Sequence, residues 1–569
     1  MLKISTDYID QHGYNFQLNI NDAKEEGMLI NIANNQVFLA IDRITGFACN
    51  YDEVDFLYKK IEREKNKKSS NANKNIKLLR SQIDALLFQP DIINVKVDKP
   101  RVYKKICNKG FIVNGVKYVR LLCGAGMGRR STVSFCSEKI YDKLDEILRN
   151  GIILDEINIA KWNAYYGLYM SGMYNVSTPR VCVVDDCELN IVGNKVDFIV
   201  DDKKINPSGE EVDYRRIEER DYVFKANVFD GAGLISPEQA AKWAGDLQLD
   251  YVPSNFIIRS AFIKGAVSVF DFKKFAHEIA KKNTITDHYG KEYNVDDIDV
   301  ILTVSQFKMY KHYRNFDEYL HYFNYYRHTW GVSRYSPKTD KEYSTINYQY
   351  IQTLDLDDNS LKELAQPTIE WLHKVCSGDL LYSLLFLIGE YNGMDGIDDL
   401  LKGTENNFVK ALLLHNELFK DDYIKRKTYQ MIEMKIAQAK IGRLWCRGNY
   451  QTMIPDPYAM AEWVFGRDVK GLLNKGEFYS KFWNDRNVNK IDACRSPMVD
   501  PSEHNVVDVV DSEQMKEWYQ YITSGVIMNI WGLDTIIHSD ADFDGDIIYT
   551  TDNEVMIKSE PHTRDFSHE

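Results

Sequence analysis

The sequence predicts an α+β chain: two strand-rich regions joined by a helical connector, behind an N-terminal region of mixed character. Three observations carry this. Residues 196–345 and 441–569 are dense in short apolar runs bounded by turn signals. Between them, residues 346–440 read as a helical connector, in which Phe408 to Ile441 repeats apolar positions at spacings near three and four, with Lys425, Arg426, Lys427, Lys435 and Lys440 on the other face. And 569 residues are too many for one ordinary domain; the length suggests about three or four.

Apolar content of 44% and aromatic content of 12% are enough for substantial cores. The formal net charge of −13 excludes a generic polyanion binder, although a local basic channel fits inside an acidic protein. The nine cysteines are scattered without a C-x-x-C pair, which argues against a structural zinc site and suits a reducing cytoplasm. Met1-Leu2-Lys3-Ile4-Ser5 lacks an apolar signal core. The longest apolar run, around Leu380 to Ile388, is too short to span a membrane. A cytoplasmic protein without a membrane partner is expected.

In the N-terminal region, residues 1–195, Val37-Phe38-Leu39-Ala40-Ile41 reads as a strand. Residues from Tyr51 to about Leu87 read as a helical hairpin, broken by the Lys-rich stretch Asn66 to Asn73 at its solvated tip. Phe111 to Arg120 is a β-hairpin with Asn114-Gly115 at the turn. Gly124-Ala125-Gly126-Met127-Gly128-Arg129-Arg130-Ser131 looks like a phosphate loop in composition only. It lacks Gly-Lys-Ser/Thr and βαβ context, so it reads as a tight connection carrying two arginines. A helix follows from about Ser137 to Arg149, and Pro179 to Val184 is a buried strand.

In the first strand-rich region, Ser236-Pro237 starts a helix, with serine as N-cap and proline at the first helical position. Phe256 to Phe270 reads as one strand, apolar except for Arg259 and Lys264. A cation in such a strand is costly unless paired or snorkelling to water, so both are candidates to face phosphate or carboxylate. Val300 to Lys308 is a second such strand, ending in lysine. In the connector, Leu361 to Ile388 is interrupted by Pro367. In the second strand-rich region, Val506 to Val510 is a strand and Ser512 to Gln520 a short helix.

The organising stretch is His538-Ser539-Asp540-Ala541-Asp542-Phe543-Asp544-Gly545-Asp546-Ile547-Ile548-Tyr549. Four carboxylates in seven residues repel one another, and burial strengthens the repulsion. Hard oxygen donors in a short loop suit Mg²⁺. A solvated Asp-Gly turn is the bland alternative, but Ile536-Ile537 and Ile547-Ile548-Tyr549 read as strands entering and leaving a core. A calcium loop would need a distal glutamate at fixed spacing, and none follows.

Ala541-Asp542-Phe543-Asp544-Gly545-Asp546 resembles the Asp-x-Asp-Gly-Asp signature of the two-barrel RNA polymerases, and Arg495-Ser496-Pro497 stands where that superfamily has an Arg-x-Pro. Asp230-Gly231-Ala232-Gly233-Leu234-Ile235-Ser236, Arg259 with Lys264-Gly265, and Ser305-Gln306-Phe307-Lys308 are similar to motifs of the RNA-silencing RNA-dependent polymerases and the single-chain phage RNA polymerases. Ile257 stands where those relatives have glutamine.

The resemblance spans roughly residues 100–550. It implies two double-psi β-barrels, at 196–345 and 441–569, and template-directed nucleotidyl transfer by two Mg²⁺ ions on Asp542, Asp544 and Asp546. It further implies that Lys264 and Lys308 act as catalytic cations on triphosphate or the RNA end. Arg259 would bind phosphate or brace a carboxylate. Arg495 would contact the ribose of the incoming nucleotide, and Asp540 falls outside the motif. The implied partners are a nucleic-acid template, with DNA favoured and a phage setting in a bacterial host, the RNA product and nucleoside triphosphates. An RNA template is the nearest alternative; a non-catalytic nucleic-acid binder and a metal-dependent phosphohydrolase are others. Related polymerases continue beyond the motif, whereas this sequence ends at Glu569, so a further C-terminal segment or companion chain is expected.

Overall fold

The computed structural model describes residues 1–30, 34–46, 72–154, 158–391 and 407–559, with 56–57, 60–61 and 64 between the second and third of these. It is mixed α+β, as the sequence predicts, and divides into two compact units. One comprises Met1–Thr178, Ile257–Lys264 and Phe307–Arg334; the other comprises Pro179–Phe256, Gly265–Gln306 and Tyr335–Glu569.

The first unit holds a six-stranded mixed sheet in the order Leu2–Ser5, Ile92–Lys96, Thr132–Ser137, Val116–Leu122, Phe111–Val113, Asn15–Phe16. Ile4, Ile93, Val95, Val133 and Phe135 form its apolar centre. The expected hairpin turns at Asn114 and Gly115, both with positive φ (51° and 77°), the backbone that matches the twist of its strands. Val37–Ile41, expected as a strand, belongs instead to the helix Gln36–Thr45. Asn35 caps that helix by accepting from the Phe38 N–H, and Val37, Ala40 and Ile41 share its buried face. A short apolar run carries no period of its own, and the cap decided. The Lys-rich stretch lies outside the described residues from Asn66 to Asn71; Ala72 opens the helix Ala72–Leu87. Gly124–Ser131 contains a single short helix, Ala125–Arg129.

The expected strand through Phe256–Phe270 is broken. Ala261 and Phe262 turn the chain between the strands Asn255–Ser260 and Ile263–Val269, with Phe262 at φ 54°. Likewise the strand at Val300 stops at Thr303, short of Lys308.

The second unit opens with the buried strand Val181–Val184, followed by a two-stranded arm, Glu188–Ile205 against Glu211–Asn227. The arm is mostly solvated, and cross-strand pairs such as Arg215–Asp201 (3.1 Å) and Arg216–Asp202 (2.6 Å) line it. Ala232–Ile235 then pairs in parallel with Ala266–Val269 and antiparallel with Val300–Leu302, and Val300–Thr303 continues in parallel to Val181–Val184.

The helices Asp358–Cys376, Leu380–Ile388, Asn407–Leu414 and Asp422–Lys440 follow. The break expected at Pro367 falls ten residues later, at Ser377-Gly378-Asp379, where Gly378 has φ 83° and Asp379 caps the next helix. Pro367 is carried inside the helix, whose Trp371 and Val375 pack with Leu385, Phe386 and Trp445. No single helix among the described residues is long and apolar enough to cross a membrane.

A closed six-stranded barrel completes the unit, in the order Asn449–Pro455, Val526–Met528, Glu477–Tyr479, Asn505–Val509, Lys490–Cys494, Ile547–Thr551 and back to the first. Met453, Ile454, Phe478, Ile491, Val507, Ile527 and Ile548 fill its core. Closure removes every free edge, so the loops between strands are held at both ends.

Candidate active site

The acidic loop enters the barrel strand Ile547–Thr551. Its entry differs from the expected strand: Ile536 and Ile537 end a short helix, Asp534–Ile537. The buried Asp534 carboxylate fixes that turn by accepting from Asn505 Nδ2 (2.8 Å) and Asn529 Nδ2 (3.1 Å). Ser539 and Asp540 then reverse the chain in left-handed backbone (φ 57° and 54°).

Beyond this reversal the loop alternates. Ala541 and Phe543 are buried in the barrel core, while Asp542, Asp544 and Asp546 stay half-buried on the other side. Burial of a phenylalanine side chain contributes about 2–3 kcal/mol, which anchors the middle of the loop. The result is convergence. One oxygen from each of the three aspartates lies within 4.8 Å of the others. Asp540 is exposed and stands outside the group.

Two elements hold this arrangement. Arg495, which follows the barrel strand Lys490–Cys494 directly, donates from Nη2 to Asp546 Oδ2 (2.6 Å) and from Nη1 to the carbonyls of His538 (2.7 Å) and Ser539 (3.3 Å). The Arg495 guanidinium is thus engaged with the acidic loop itself. Ser539 Oγ donates to Glu503 Oε1 (2.8 Å), tying down the reversal.

The second element is the Asp230-Gly231 turn. Phe543 N–H donates to the Asp230 carbonyl (2.9 Å). Gly231 has φ 76°, and a Cβ on it would sit 2.7 Å from the Cβ of Asp544. Only glycine fits both the backbone and the approach. The turn is itself braced: Gly231 N–H donates to Ser305 Oγ (3.0 Å), and Gln306 Nε2 donates to the carbonyls of Gly231 (3.1 Å) and Ala266 (2.8 Å).

Sequence reasoning quoted Asp230-Gly231 and Ser305-Gln306 as motif residues but gave them no part in the site. The available signal was a glycine directly after an aspartate, before a fully buried strand.

Reasoning from sequence also missed a second group. Asp492, Cys494 and His504 are all fully buried, with Nδ1 of His504 2.7 Å from Asp492 Oδ2 and the Cys494 thiol 3.3 Å from both. His504 Nε2 lies 2.9 Å from Thr353 Oγ1, and Thr353 Oγ1 donates to the Gln349 carbonyl (2.9 Å). This group lies immediately before Arg495 in the strand.

Arg259, Lys264 and Lys308 belong to the first unit. An isolated bridge pairs Ile263 with Phe307, and Lys308 N–H donates to the Phe262 carbonyl (3.0 Å). Ile263 and Phe307 are buried, and Lys264 and Lys308 are half-buried. Arg259 Nη1 donates to the Ile258 carbonyl (2.7 Å).

The donor set of the acidic loop fits a hard divalent cation. It offers three carboxylates at ligand spacing, on a half-open face where water and phosphate could complete an octahedron.

A family model described as "RNA dependent RNA polymerase" matches residues 43–568. Over 471 residues the chain is 28% identical to the DNA-directed RNA polymerase YonO of Bacillus phage SPbeta, an alignment covering 77% of this chain and 49% of that protein. The fold is similar to that of the RNA dependent RNA polymerase QDE-1 from Thielavia terrestris, with a TM-score of 0.53 and 13% identity over 83% of this chain and 50% of that one. The chain spans about half the length of these relatives.

Proposed function

The chain belongs to the RNA dependent RNA polymerase family, and from that premise we propose that it carries out template-directed nucleotidyl transfer, joining a nucleoside triphosphate to an RNA 3′ end with release of pyrophosphate. The observation that carries the reading is the convergence of Asp542, Asp544 and Asp546, held on one side by Arg495 and on the other by the Asp230-Gly231 turn.

In this reading the three aspartates would hold a pair of Mg²⁺ ions. Bound there, Mg²⁺ supplies Lewis acidity, favouring ionisation of the 3′-hydroxyl and neutralising the leaving pyrophosphate. The protein's own contribution is positioning. Arg495 fixes the orientation of Asp546 through its planar fork and would also contact the ribose of the incoming nucleotide. Lys264 and Lys308 present compact positive charge to triphosphate or the RNA end. Arg259 takes a phosphate contact. The open sheet around Ala232–Ile235 and the closed barrel at 449–551 are read as the two double-psi barrels of the superfamily.

DNA is the favoured template, because the relative at 28% identity is named a DNA-directed enzyme. The family description favours RNA as the second reading. A phage setting and a bacterial cytoplasm go with the first. Incorporation of labelled nucleotides on matched DNA and RNA templates tests this. The expected result is Mg²⁺-dependent product on DNA that Asp544→Ala abolishes. Product on RNA alone would move the assignment to the second reading, and phosphate release without incorporation would overturn it.

A further inference from the structure

Within the first unit, a cavity of about 560 Å³ opens beside the glycine-rich stretch that the acidic site does not use. Its cations are Arg129, Arg130 and Lys264, and among the described residues no carboxylate lines it. Arg129 and Arg130 are exposed, and neither has an ion-pair partner among the described residues.

The walls are set by backbone contact. Gly124 packs on Gly167 so closely that a Cβ on Gly124 would lie 3.2 Å from the Gly167 Cα, which fixes the Ala125–Arg129 turn against the 164–171 segment. Thr132 Oγ1 donates to the Met127 carbonyl (3.0 Å) and closes the turn behind the arginines. Gly126 faces open space, leaving bare backbone at the cavity.

From these features we infer that the cavity is a phosphate-binding site for nucleotide ligands, with Arg129 and Arg130 as its principal contacts and Lys264 at its inner side. Two planar guanidiniums without carboxylate partners match phosphate oxygens bidentately. The volume lies within the range of small-ligand sites. The sequence pattern excludes a Walker-type loop, so the phosphates are held by side chains rather than by a Gly-Lys-Ser/Thr cradle. The phosphates come either from a single-stranded RNA or from a nucleoside triphosphate. The choice of nucleotide ligands rests on the polymerase reading; the phosphate site itself does not.

Fluorescence anisotropy tests this with two probes, a labelled single-stranded RNA of about twelve nucleotides and a labelled nucleoside triphosphate, both in excess EDTA so that the acidic loop contributes no metal bridge. The Arg129→Ala/Arg130→Ala variant is compared with wild type and with Lys143→Ala, which removes an exposed lysine elsewhere in the unit. Thermal melting confirms that each variant is folded. The expected result is about tenfold weaker binding by the double variant and a salt dependence shallower by roughly one unit of log K per log salt, with Lys143→Ala unchanged. Loss on RNA alone assigns the site to strand phosphates; loss that includes the nucleotide assigns it to triphosphate. Wild-type binding retained on both probes, an equal loss in Lys143→Ala, or no binding of either probe by the wild type overturns the inference. Asp544→Ala is expected to remove incorporation while leaving both metal-free affinities unchanged, so a failed site and a failed polymerase reading give different results.

Discussion

Two groups of three side chains stand on neighbouring strands of the same barrel and solve opposite problems. Asp492 pairs across the sheet with Thr551, and Cys494 with Tyr549, so the buried Asp492–Cys494–His504 group lies beside the strand that the acidic loop feeds. The buried group mixes an acceptor, a thiol donor and an imidazole, and the contacts run inward: thiol to carboxylate, imidazole to carboxylate, imidazole to Thr353. The acidic loop brings three like charges together, with Arg495 paired to Asp546 (2.6 Å). At 4–5 Å and an effective dielectric near 20, each carboxylate pair repels by about 3–4 kcal/mol. Three carboxylates converging on a half-open face are a donor set for a divalent cation. The buried cluster is mixed in type and closed off from solvent; the like-charged one is frustrated and half-open, the condition in which a cation binds.

The largest expected effect breaks the comparison at the frustrated end. Asp544→Asn should lower nucleotide incorporation by at least ~10³-fold, because transition-state charge is no longer neutralised there. The same change should leave the metal-free melting temperature unchanged or raise it, since one repulsive charge is gone. A variant that loses both activity and metal-free stability would mean that the loop is structural.

At the buried end the signs reverse. His504→Ala leaves the Asp492 carboxylate and the Cys494 thiol in a dry interior with a partner removed. The expected cost is about 3–5 kcal/mol of barrel stability, read as a shift in denaturant midpoint. Added Mg²⁺ should not restore it. A midpoint that recovers fully with Mg²⁺ would erase the distinction between the two groups.

Gly231→Ala tests how the frustrated loop is kept rigid. The new Cβ meets Asp544 at 2.7 Å in a backbone that alanine resists. Displacement of the carboxylate by a fraction of an ångström should lower activity by roughly 10–100-fold. The Mg²⁺ concentration for half-maximal activity should rise with it, while Ser305→Ala, which removes the Gly231 brace and a contact to Thr303 Oγ1, should show a smaller effect of the same kind.

These contrasts also explain what the sequence made legible. Ala541 to Asp546 announces itself because charge density in a short loop is local information, and the barrel strand after it reads directly from Ile547-Ile548-Tyr549. The bridge between Ile263 and Phe307, which joins the segments carrying Lys264 and Lys308, is not local, and the strand through Phe256–Phe270 was read too long because the turn at Phe262 uses a positive φ that a phenylalanine rarely signals. Val37–Ile41 and Ile536-Ile537 show the same limit: an apolar pair or quintet is strand or helix according to its caps. The buried triad was illegible because Asp492, Cys494 and His504 meet only through strand pairing over a twelve-residue span, and none alone differs from a core residue.

The smallest expected effect concerns Asp540, which belongs to the sequence cluster but not to the converging group. It is exposed, and its left-handed backbone (φ 54°) is one that asparagine also tolerates. Asp540→Asn therefore removes one negative charge two residues from Asp542 while preserving the chain reversal. If charge density alone made the site, this change would weaken Mg²⁺ dependence about as much as losing a ligand. If convergence makes it, the residual effect is that of a screened surface charge, below about 1 kcal/mol and diminishing with salt. We expect activity within about threefold of wild type at low salt and a smaller difference at 0.15 M, measured as the Mg²⁺ titration midpoint at both ionic strengths. A shift as large as that of Gly231→Ala would show that the fourth carboxylate is a working part of the loop, and that burial of Ala541 and Phe543 does not by itself select which aspartates converge.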